Sequence, residues 1–113
     1  MLLITAVKFA DLGHSFKPWP LHKLWTDRIT EEFWSLGDRE KVLGVPPGPL
    51  CDREADHNIP KSQGGFFQFI CKPFYKEVAS LTDPKAEFML QLESNANMWQ
   101  TLLEMYELSL IHI

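Results

Sequence analysis

Apolar residues recur along most of this chain at intervals of three and four, the spacing that places side chains on one face of an α-helix. The pattern predicts four helices, over about 2–11, 21–36, 60–81 and 84–106. Gly37 and Asp38 are expected to stop the second helix, Pro60 to open the third, and Pro73 to kink it. No stretch alternates with period two, so the predicted fold class is all-α.

Each predicted helix has an apolar face that should meet the core. In the second helix this face is Leu21, Leu24, Trp25, Ile29, Phe33 and Leu36; in the third it is Phe66, Ile70, Phe74, Val78 and Leu81; in the fourth it is Phe88, Leu92, Ala96, Trp99, Leu103 and Tyr106. The first helix is apolar on nearly every side and has no capping residue. Such a helix belongs inside a larger protein, so we expect this chain to be a piece of one and Met1 not to be a true start.

Composition excludes several classes of protein. With 45% hydrophobic and 23% charged residues in a chain of 113, disorder is not expected. The net charge of −4 and the absence of a basic stripe argue against nucleic-acid binding. The apolar run 1–7 is too short to cross a membrane and lacks the features of a signal peptide. Two isolated cysteines, Cys51 and Cys71, favour an intracellular, cytoplasmic location.

Gln63 and Phe66 are the most informative pair of residues. They stand three apart in what should be the first turns of a helix, so they share a face. A carboxamide that reads a hydrogen-bonding edge and a ring that stacks on a face together suit a purine base. Alternatively, Gln63 points to solvent and Phe66 belongs to the core. If Gln63 is buried in a pocket, a ligand is expected, because an unpaired buried amide is costly.

Asp11 and His14 lie upstream of this pair. Asp11 is near the C-terminal end of the first helix, where the helix dipole disfavours a carboxylate unless a cation, such as a divalent metal, offsets it. Alternatively, Asp11 only ends the helix, because a metal site needs more ligands than one carboxylate. His14 faces a ligand or is a loop histidine with no special role. His22, His57 and His112 have no partners at ligand spacing.

Together the motifs resemble the C-terminal third of the catalytic domain of class I 3′,5′-cyclic-nucleotide phosphodiesterases, all-helical members of the HD-type metallohydrolases. The matching segments are KFADLGH, KPWPLHKLWTDRITEEFWSLGDREKVLG, PLCDR and IPKSQGGFFQFI, in family order and with family-like spacing. The resemblance covers the partial domain, residues 1–107. Residues 108–113 match nothing in the family and form a tail of unknown role.

The resemblance implies roles for residues that match the family's motifs. Asp11 corresponds to the last metal-binding aspartate, Gln63 to the glutamine that reads the purine edge, and Phe66 and Ile29 to the two sides of a clamp on the base. His14 stands at a position beside the nucleoside that varies among family branches. The residues lining or supporting the same pocket are Trp25, Thr26, Phe33 and Ser62.

The implied reaction is hydrolysis of cAMP, cGMP or both to nucleoside 5′-monophosphates. It uses two divalent metals, Zn²⁺ with Mg²⁺ or Mn²⁺, to hold a bridging hydroxide. A histidine protonates the leaving oxygen. That histidine and the other metal ligands are expected upstream, on helices of the same domain against which this piece packs; no catalytic residue falls in this fragment, which should be inactive alone. Membrane attachment through other regions stays open. The alternative is a truncated, non-catalytic helical module that binds a nucleotide or a protein partner.

Five positions depart from the family's usual pattern: Trp34, Leu36, Gly64, Phe67 and Gln68. The consecutive glycines Gly64 and Gly65 should loosen the third helix, at about 1 kcal/mol for each glycine relative to alanine. These departures affect the expected substrate preference and affinity more than the resemblance itself.

Overall fold

The computed structural model describes residues 2–83 and 86–111, which fold into helices with no strand among them, as predicted. The helices are α1 (Leu2–Asp11), α2 (Trp19–Val42), α3 (Ile59–Phe66), α4 (Lys72–Leu81) and α5 (Glu87–Ile111). A short 3₁₀ turn, Gly13–Phe16, joins α1 to α2, and a π segment, Phe67–Cys71, joins α3 to α4. Residues 43–58 form the α2–α3 loop.

Helix α2 is longer at both ends than its sequence pattern predicts. It begins at Trp19, with Pro20 in the first turn, where the missing N–H of proline removes no helical bond. It passes through Gly37 and Asp38 and ends at Val42, so the predicted stop at Gly37 is wrong. Gly37 is buried against the loop instead: a Cβ atom there would lie 1.8 Å from the carbonyl oxygen of Cys51. The glycine permits this close approach of two backbones.

Pro73 acts on the helix before it. Because proline has no N–H to donate to the fourth carbonyl before it, the helix widens just upstream, and the Lys72 N–H bonds the carbonyl of Phe67 five residues earlier. The predicted kink is thus a π segment. At the other end, Pro60 lies in the first turn of α3 as predicted, and the side chain of Asn58 caps that helix by accepting from the Lys61 N–H.

The core forms where α3, the π segment and α4 pack against α5. Its buried side chains are Phe67, Cys71, Tyr75, Leu92 and Trp99. The predicted face of the third helix is right in part: Phe66 and Phe74 are partly buried and pack against this cluster. Its other members Ile70, 50% exposed, and Leu81, 83% exposed, lie outside the core, and the buried positions are displaced by one residue. Two neighbouring strips of that helix are apolar, and only contact with α5 distinguishes them. The predicted face of the fourth helix is right at its centre, where Leu92 and Trp99 are buried.

Two buried polar side chains tie the first part of the chain to this core. Asn95 on α5 is fully buried, and its Nδ2 donates to the carbonyl oxygens of Ser15 at 2.9 Å and Lys17 at 2.8 Å. The Tyr75 hydroxyl donates to the carbonyl oxygen of Phe9 at 2.8 Å, and the two rings meet edge to face. These bonds fix the 3₁₀ turn and the end of α1 over the core.

The remaining apolar faces are open. No residue of α1 is buried, and Leu2 is 88% exposed. On α2 most of the predicted core face is also exposed, and the fully buried side chains are His22 and Thr26. The exposed members of that predicted face are Leu21, Leu24, Trp25, Phe33 and Leu36. α2 therefore has two distinct faces. One contains the buried His22 and Thr26, and the other is formed by these exposed apolar residues.

The fourth predicted helix corresponds to α5. It begins at Glu87, later than predicted, and Pro84, predicted to lie in its first turn, is outside the described residues. The helix continues to Ile111 through the first part of the segment set apart as a tail. No helix within 2–83 and 86–111 is long and apolar enough to span a membrane.

Candidate functional site

A cavity of about 260 Å³ lies between α2, α3, the 3₁₀ turn and the α2–α3 loop. Its lining is Asp11, Leu12, His14, Thr26, Ile29, Thr30, Phe33, Trp34, Leu50, Asp56, Ile59, Ser62, Gln63 and Phe66. The surface of this lining is mainly apolar, although half of its residues carry polar side chains, and this mixture suits a small-molecule site.

Helix geometry explains how two helices build most of this wall. The α2 residues fall at 26, 29, 30, 33 and 34, and the α3 residues at 59, 62, 63 and 66. Both series follow the spacing of a single helical face. Gln63 and Phe66 therefore reach the same cavity, as their separation of three residues indicates. The end of α1 and the 3₁₀ turn add Asp11, Leu12 and His14.

Three polar side chains of the lining carry unpaired buried atoms. The Gln63 Oε1, Thr26 Oγ1 and Trp34 Nε1 atoms have no hydrogen-bond partner within the described part of the chain. An unpaired buried polar atom costs on the order of 1–3 kcal/mol. A ligand with a complementary hydrogen-bonding edge, met by small rotations of these side chains, would recover part of that cost.

His14 and His22 connect the cavity to the core. Trp99 Nε1 donates to His22 Nε2 at 2.7 Å, and the indole nitrogen is a donor only. His22 therefore carries its hydrogen on Nδ1, which faces the carbonyl oxygen of His14 at 3.0 Å and the His14 Nδ1 at 3.1 Å. His14 Nδ1 then acts as an acceptor, so the hydrogen of the neutral His14 ring sits on Nε2.

Burial controls the protonation of both rings. Burial lowers the pKa of His14, and burial together with the nearby His14 lowers the pKa of His22 to about 4, against a smaller raising effect of the bond to the His14 carbonyl. The imidazole of His14 is nearly parallel to the ring of Phe66, with 6.2 Å between centroids, and to that of His22, with 5.2 Å. His14 and Phe66 thus form one layered part of the cavity wall, and the buried ring of His22 stacks on His14 outside the lining.

The structure brings most of the sequence-predicted site residues together. Asp11, His14 and the α2 and α3 residues named in advance line the cavity, with the exception of Trp25. Trp25 is 47% exposed on another side of α2, where the Arg28 guanidinium lies 5.5 Å from its ring centroid. Its predicted place in the pocket is not supported by the lining.

Sequence reasoning missed six lining residues: Leu12, Thr30, Trp34, Leu50, Asp56 and Ile59. Helical spacing from Thr26 and Gln63 was a sufficient signal for Thr30, Trp34 and Ile59. Leu50 and Asp56 lie in a loop, where no periodicity relates a residue to a face. Similarly, His22 was set aside for want of sequence neighbours, yet its partner Trp99 is 77 residues away.

Comparison with known proteins identifies the family. The family model described as 3′5′-cyclic nucleotide phosphodiesterase matches residues 1–92. The chain belongs to this family. It is 42% identical over 101 residues to the probable 3′,5′-cyclic-AMP phosphodiesterase pde-4 of Caenorhabditis elegans, which covers 88% of this chain and 15% of that protein.

Two further relatives extend the comparison. The 3′,5′-cyclic-AMP phosphodiesterase 4C of Rattus norvegicus is 39% identical over 101 residues, or 88% of this chain and 19% of the relative. The dual 3′,5′-cyclic-AMP and -GMP phosphodiesterase beta of Plasmodium falciparum is 35% identical over 109 residues, which is 92% of this chain and 10% of the relative. The chain thus spans less than a fifth of the length of these curated relatives.

Members of the 3′5′-cyclic nucleotide phosphodiesterase family generally depend on metals. Asp11 is exposed and lines the cavity, which suits a carboxylate ligand. Within 2–83 and 86–111, however, no group of three or more His, Cys, Asp or Glu side chains is placed to hold a metal ion. The described residues therefore do not by themselves form a metal site of three or more such ligands.

Proposed function

We propose that this chain recognises the purine base of a 3′,5′-cyclic nucleotide and, within a complete catalytic domain, takes part in its hydrolysis to a nucleoside 5′-monophosphate. One observation carries the proposal: Gln63, with its buried, unpaired Oε1, lines the same cavity as Phe66 and Ile29. The family and the names of its relatives support this ligand class.

Each residue has a physical role in this proposal. Phe66 stacks on the base and Ile29 packs on its other face; a base stacked on an aromatic ring gains about 1–3 kcal/mol. Gln63 both donates and accepts, so either orientation of its amide meets a purine edge. Thr26, Phe33 and Ser62 complete the pocket, and His14 faces the nucleoside.

Asp11 has a different proposed role. In a complete domain it contributes one carboxylate to the metal pair, which we propose to be Zn²⁺ with Mg²⁺ or Mn²⁺. The remaining metal ligands and the histidine that protonates the leaving oxygen come from other helices of that domain. Those helices also cover the exposed apolar side chains of α1 and α2, such as Leu2 and Trp25. Reduced, buried Cys51 and Cys71 suit an intracellular location.

Replacing Gln63 by alanine tests the base pocket. We expect the dissociation constants of cAMP and cGMP, measured by calorimetry on the chain, to rise about fivefold, the value of one hydrogen bond of roughly 1 kcal/mol. The thermal midpoint should not fall, because the substitution also removes an unpaired buried oxygen. Phe66→Ala should weaken binding about tenfold or more.

Matched controls lie on the adjoining π segment. Gln68 and Phe69 are exposed and outside the cavity lining, so Gln68→Ala and Phe69→Ala should leave both dissociation constants unchanged. Equal losses in the control and pocket variants, or no binding of either nucleotide to the unmodified chain, would contradict the proposal.

The lack of a three-ligand group in 2–83 and 86–111 favours a second candidate, a non-catalytic module that binds a nucleotide or a protein partner. We expect the purified 113-residue chain to show no hydrolysis of cAMP or cGMP with Zn²⁺, Mg²⁺ or Mn²⁺ added. Product formation followed by chromatography checks this. Metal-dependent turnover that chelation abolishes would show the expectation to be wrong.

A further inference from the structure

The α2–α3 loop forms part of the cavity wall but has no regular structure of its own. Leu50 and Asp56 of this loop line the cavity. Their positions depend on what attaches residues 43–58 to the rest of the molecule, since a loop without such attachments opens easily. Among the side chains of this loop, Arg53 makes the most extensive contacts with α2.

Arg53 bonds two carboxylates at once. Its Nη1 donates to Glu31 Oε2 at 3.0 Å and its Nη2 to Glu31 Oε1 at 2.9 Å, a two-pronged arrangement. The same Nη2 donates to Asp38 Oδ2 at 2.9 Å. The guanidinium also lies over the ring of Trp34, 5.2 Å from its centroid.

The three partners of Arg53 share one side of α2. Glu31, Trp34 and Asp38 stand three and four residues apart, so a single helical face presents acid, ring and acid in succession. A guanidinium matches this face because it is planar, forked and always charged; the ammonium group of lysine lacks the plane and the fork. Asp38, predicted to stop the second helix, instead lies inside α2 and anchors the loop through Arg53.

The contact between Arg53 and α2 lies next to the cavity, both on the helix side and on the loop side. Trp34 lines the cavity and lies under the guanidinium. On the loop side, Leu50 and Asp56 stand three residues before and after Arg53. We propose that Arg53 is a positioning residue, which holds the loop wall and the Trp34 ring in place and thereby sets how closely the cavity surrounds its ligand. This inference deepens the proposed function and rests on it for the identity of the ligand.

Other contacts also hold the loop, which limits the size of the effect. Lys41 Nζ lies 2.8 Å from Asp52 Oδ1, and the Tyr106 hydroxyl lies 2.8 Å from His57 Nε2. The Arg53 side chain is 40% exposed, and exposed ion pairs contribute modestly. We therefore expect loosening of the wall rather than unfolding.

The test compares Arg53→Gln and Arg53→Lys with Lys23→Gln. Lys23 pairs with Asp27 on the same helix at 2.7 Å with similar exposure, but lies outside the cavity lining. The first readout is amide hydrogen exchange without ligand. In both Arg53 variants the amides of 43–58 should exchange about five times faster, with α5 unchanged; in Lys23→Gln neither should change.

The second readout is binding of cAMP and cGMP as probes. Their dissociation constants should rise about fivefold in both Arg53 variants and stay constant in Lys23→Gln. Unchanged exchange of the loop in Arg53→Gln overturns the inference whatever the binding shows. Faster exchange with unchanged affinity overturns the role in the cavity. If the unmodified chain binds neither probe, the proposed function fails, and the exchange experiment still decides whether Arg53 holds the loop.

Discussion

Replacing Gly37 by alanine is expected to destabilise the fold by about 2 kcal/mol, within the range for overpacked sites. The new Cβ atom would lie 1.8 Å from the carbonyl oxygen of Cys51 and 2.6 Å from its carbonyl carbon. Both are backbone atoms, so relief requires the α2–α3 loop to move. Alanine gains about 1 kcal/mol in helix propensity, which offsets only part of the cost. Thermal unfolding followed by circular dichroism measures the net change, a fall of several degrees.

Two glycines of α3 provide the control for this substitution. A Cβ atom at Gly64 or Gly65 meets no atom within 4 Å. Gly64→Ala and Gly65→Ala should therefore each raise stability, by up to about 1 kcal/mol through helix propensity alone. The same chemical change thus has opposite signs at Gly37 and at these sites. A Gly37→Ala protein as stable as Gly64→Ala would show that the loop does not press against α2.

Displacement of the loop should also reach the cavity. Cys51 follows Leu50, which lines the cavity wall. In Gly37→Ala we expect weaker binding of cAMP and cGMP together with lower stability. In Gly64→Ala we expect no loss of stability. Calorimetric titration of both variants at a temperature well below their midpoints separates the two effects.

Lowering the pH from 6.5 to 4 is expected to cost the fold roughly 3 kcal/mol through His22 alone, since each pKa unit corresponds to about 1.36 kcal/mol. The pKa of His22 is lowered from 6.5 in the unfolded chain to about 4 in the fold. Between these values the unfolded chain binds more protons, so stability is full above 6.5 and falls as the pH falls toward 4. Urea unfolding at pH 7 and at pH 4.5 measures the loss.

The geometry gives the reason for this sensitivity. A proton added to His22 would go to Nε2, which already accepts the N–H of Trp99 at 2.7 Å. Two N–H groups would then face each other in a site where His22 and Trp99 are buried. The parallel ring of His14 also disfavours a positive charge on His22. Protonation must therefore break the bond from Trp99, which is one of the connections between the core and the 3₁₀ turn.

A non-titrating substitute isolates this contribution. Glutamine at position 22 carries an acceptor for Trp99 and a donor for the His14 carbonyl, but no proton to gain in this range. His22→Gln should be less stable at pH 7 and lose less stability between pH 7 and 4.5. Arg53 and Lys41 hold the pKa values of Glu31 and Asp52 below their ordinary values, so these pairs persist at pH 4.5 and are lost only at lower pH, equally in both proteins. Parallel pH profiles in the two proteins would refute the assignment to His22.

Local patterns in the sequence determined the helices and part of the cavity. Spacings of three and four located α1, most of α2, and the helices that carry Phe66 and Trp99, because backbone hydrogen bonding makes that period a local property. The same period placed Gln63 and Phe66 on one face, and the structure brings both to one cavity. The motifs that carry the family resemblance are likewise contiguous segments, and the family match confirms that resemblance.

Tertiary contacts decided what no local pattern contains. Phe67, Cys71 and Tyr75 face the core because α5 packs against them. The neighbouring apolar strip, which includes Ile70, does not, although the two strips look alike in the sequence. α2 continues through Gly37, where local rules predict a stop, and the missing side chain lets the backbone of Cys51 pack against the helix. The tautomer of His22 is fixed by the bond from Trp99, and the position of the α2–α3 loop depends on the bonds from Arg53 to α2. Such contacts join residues far apart in the chain, so periodicity determined which helices form and packing determined which of their faces became core, cavity or open surface.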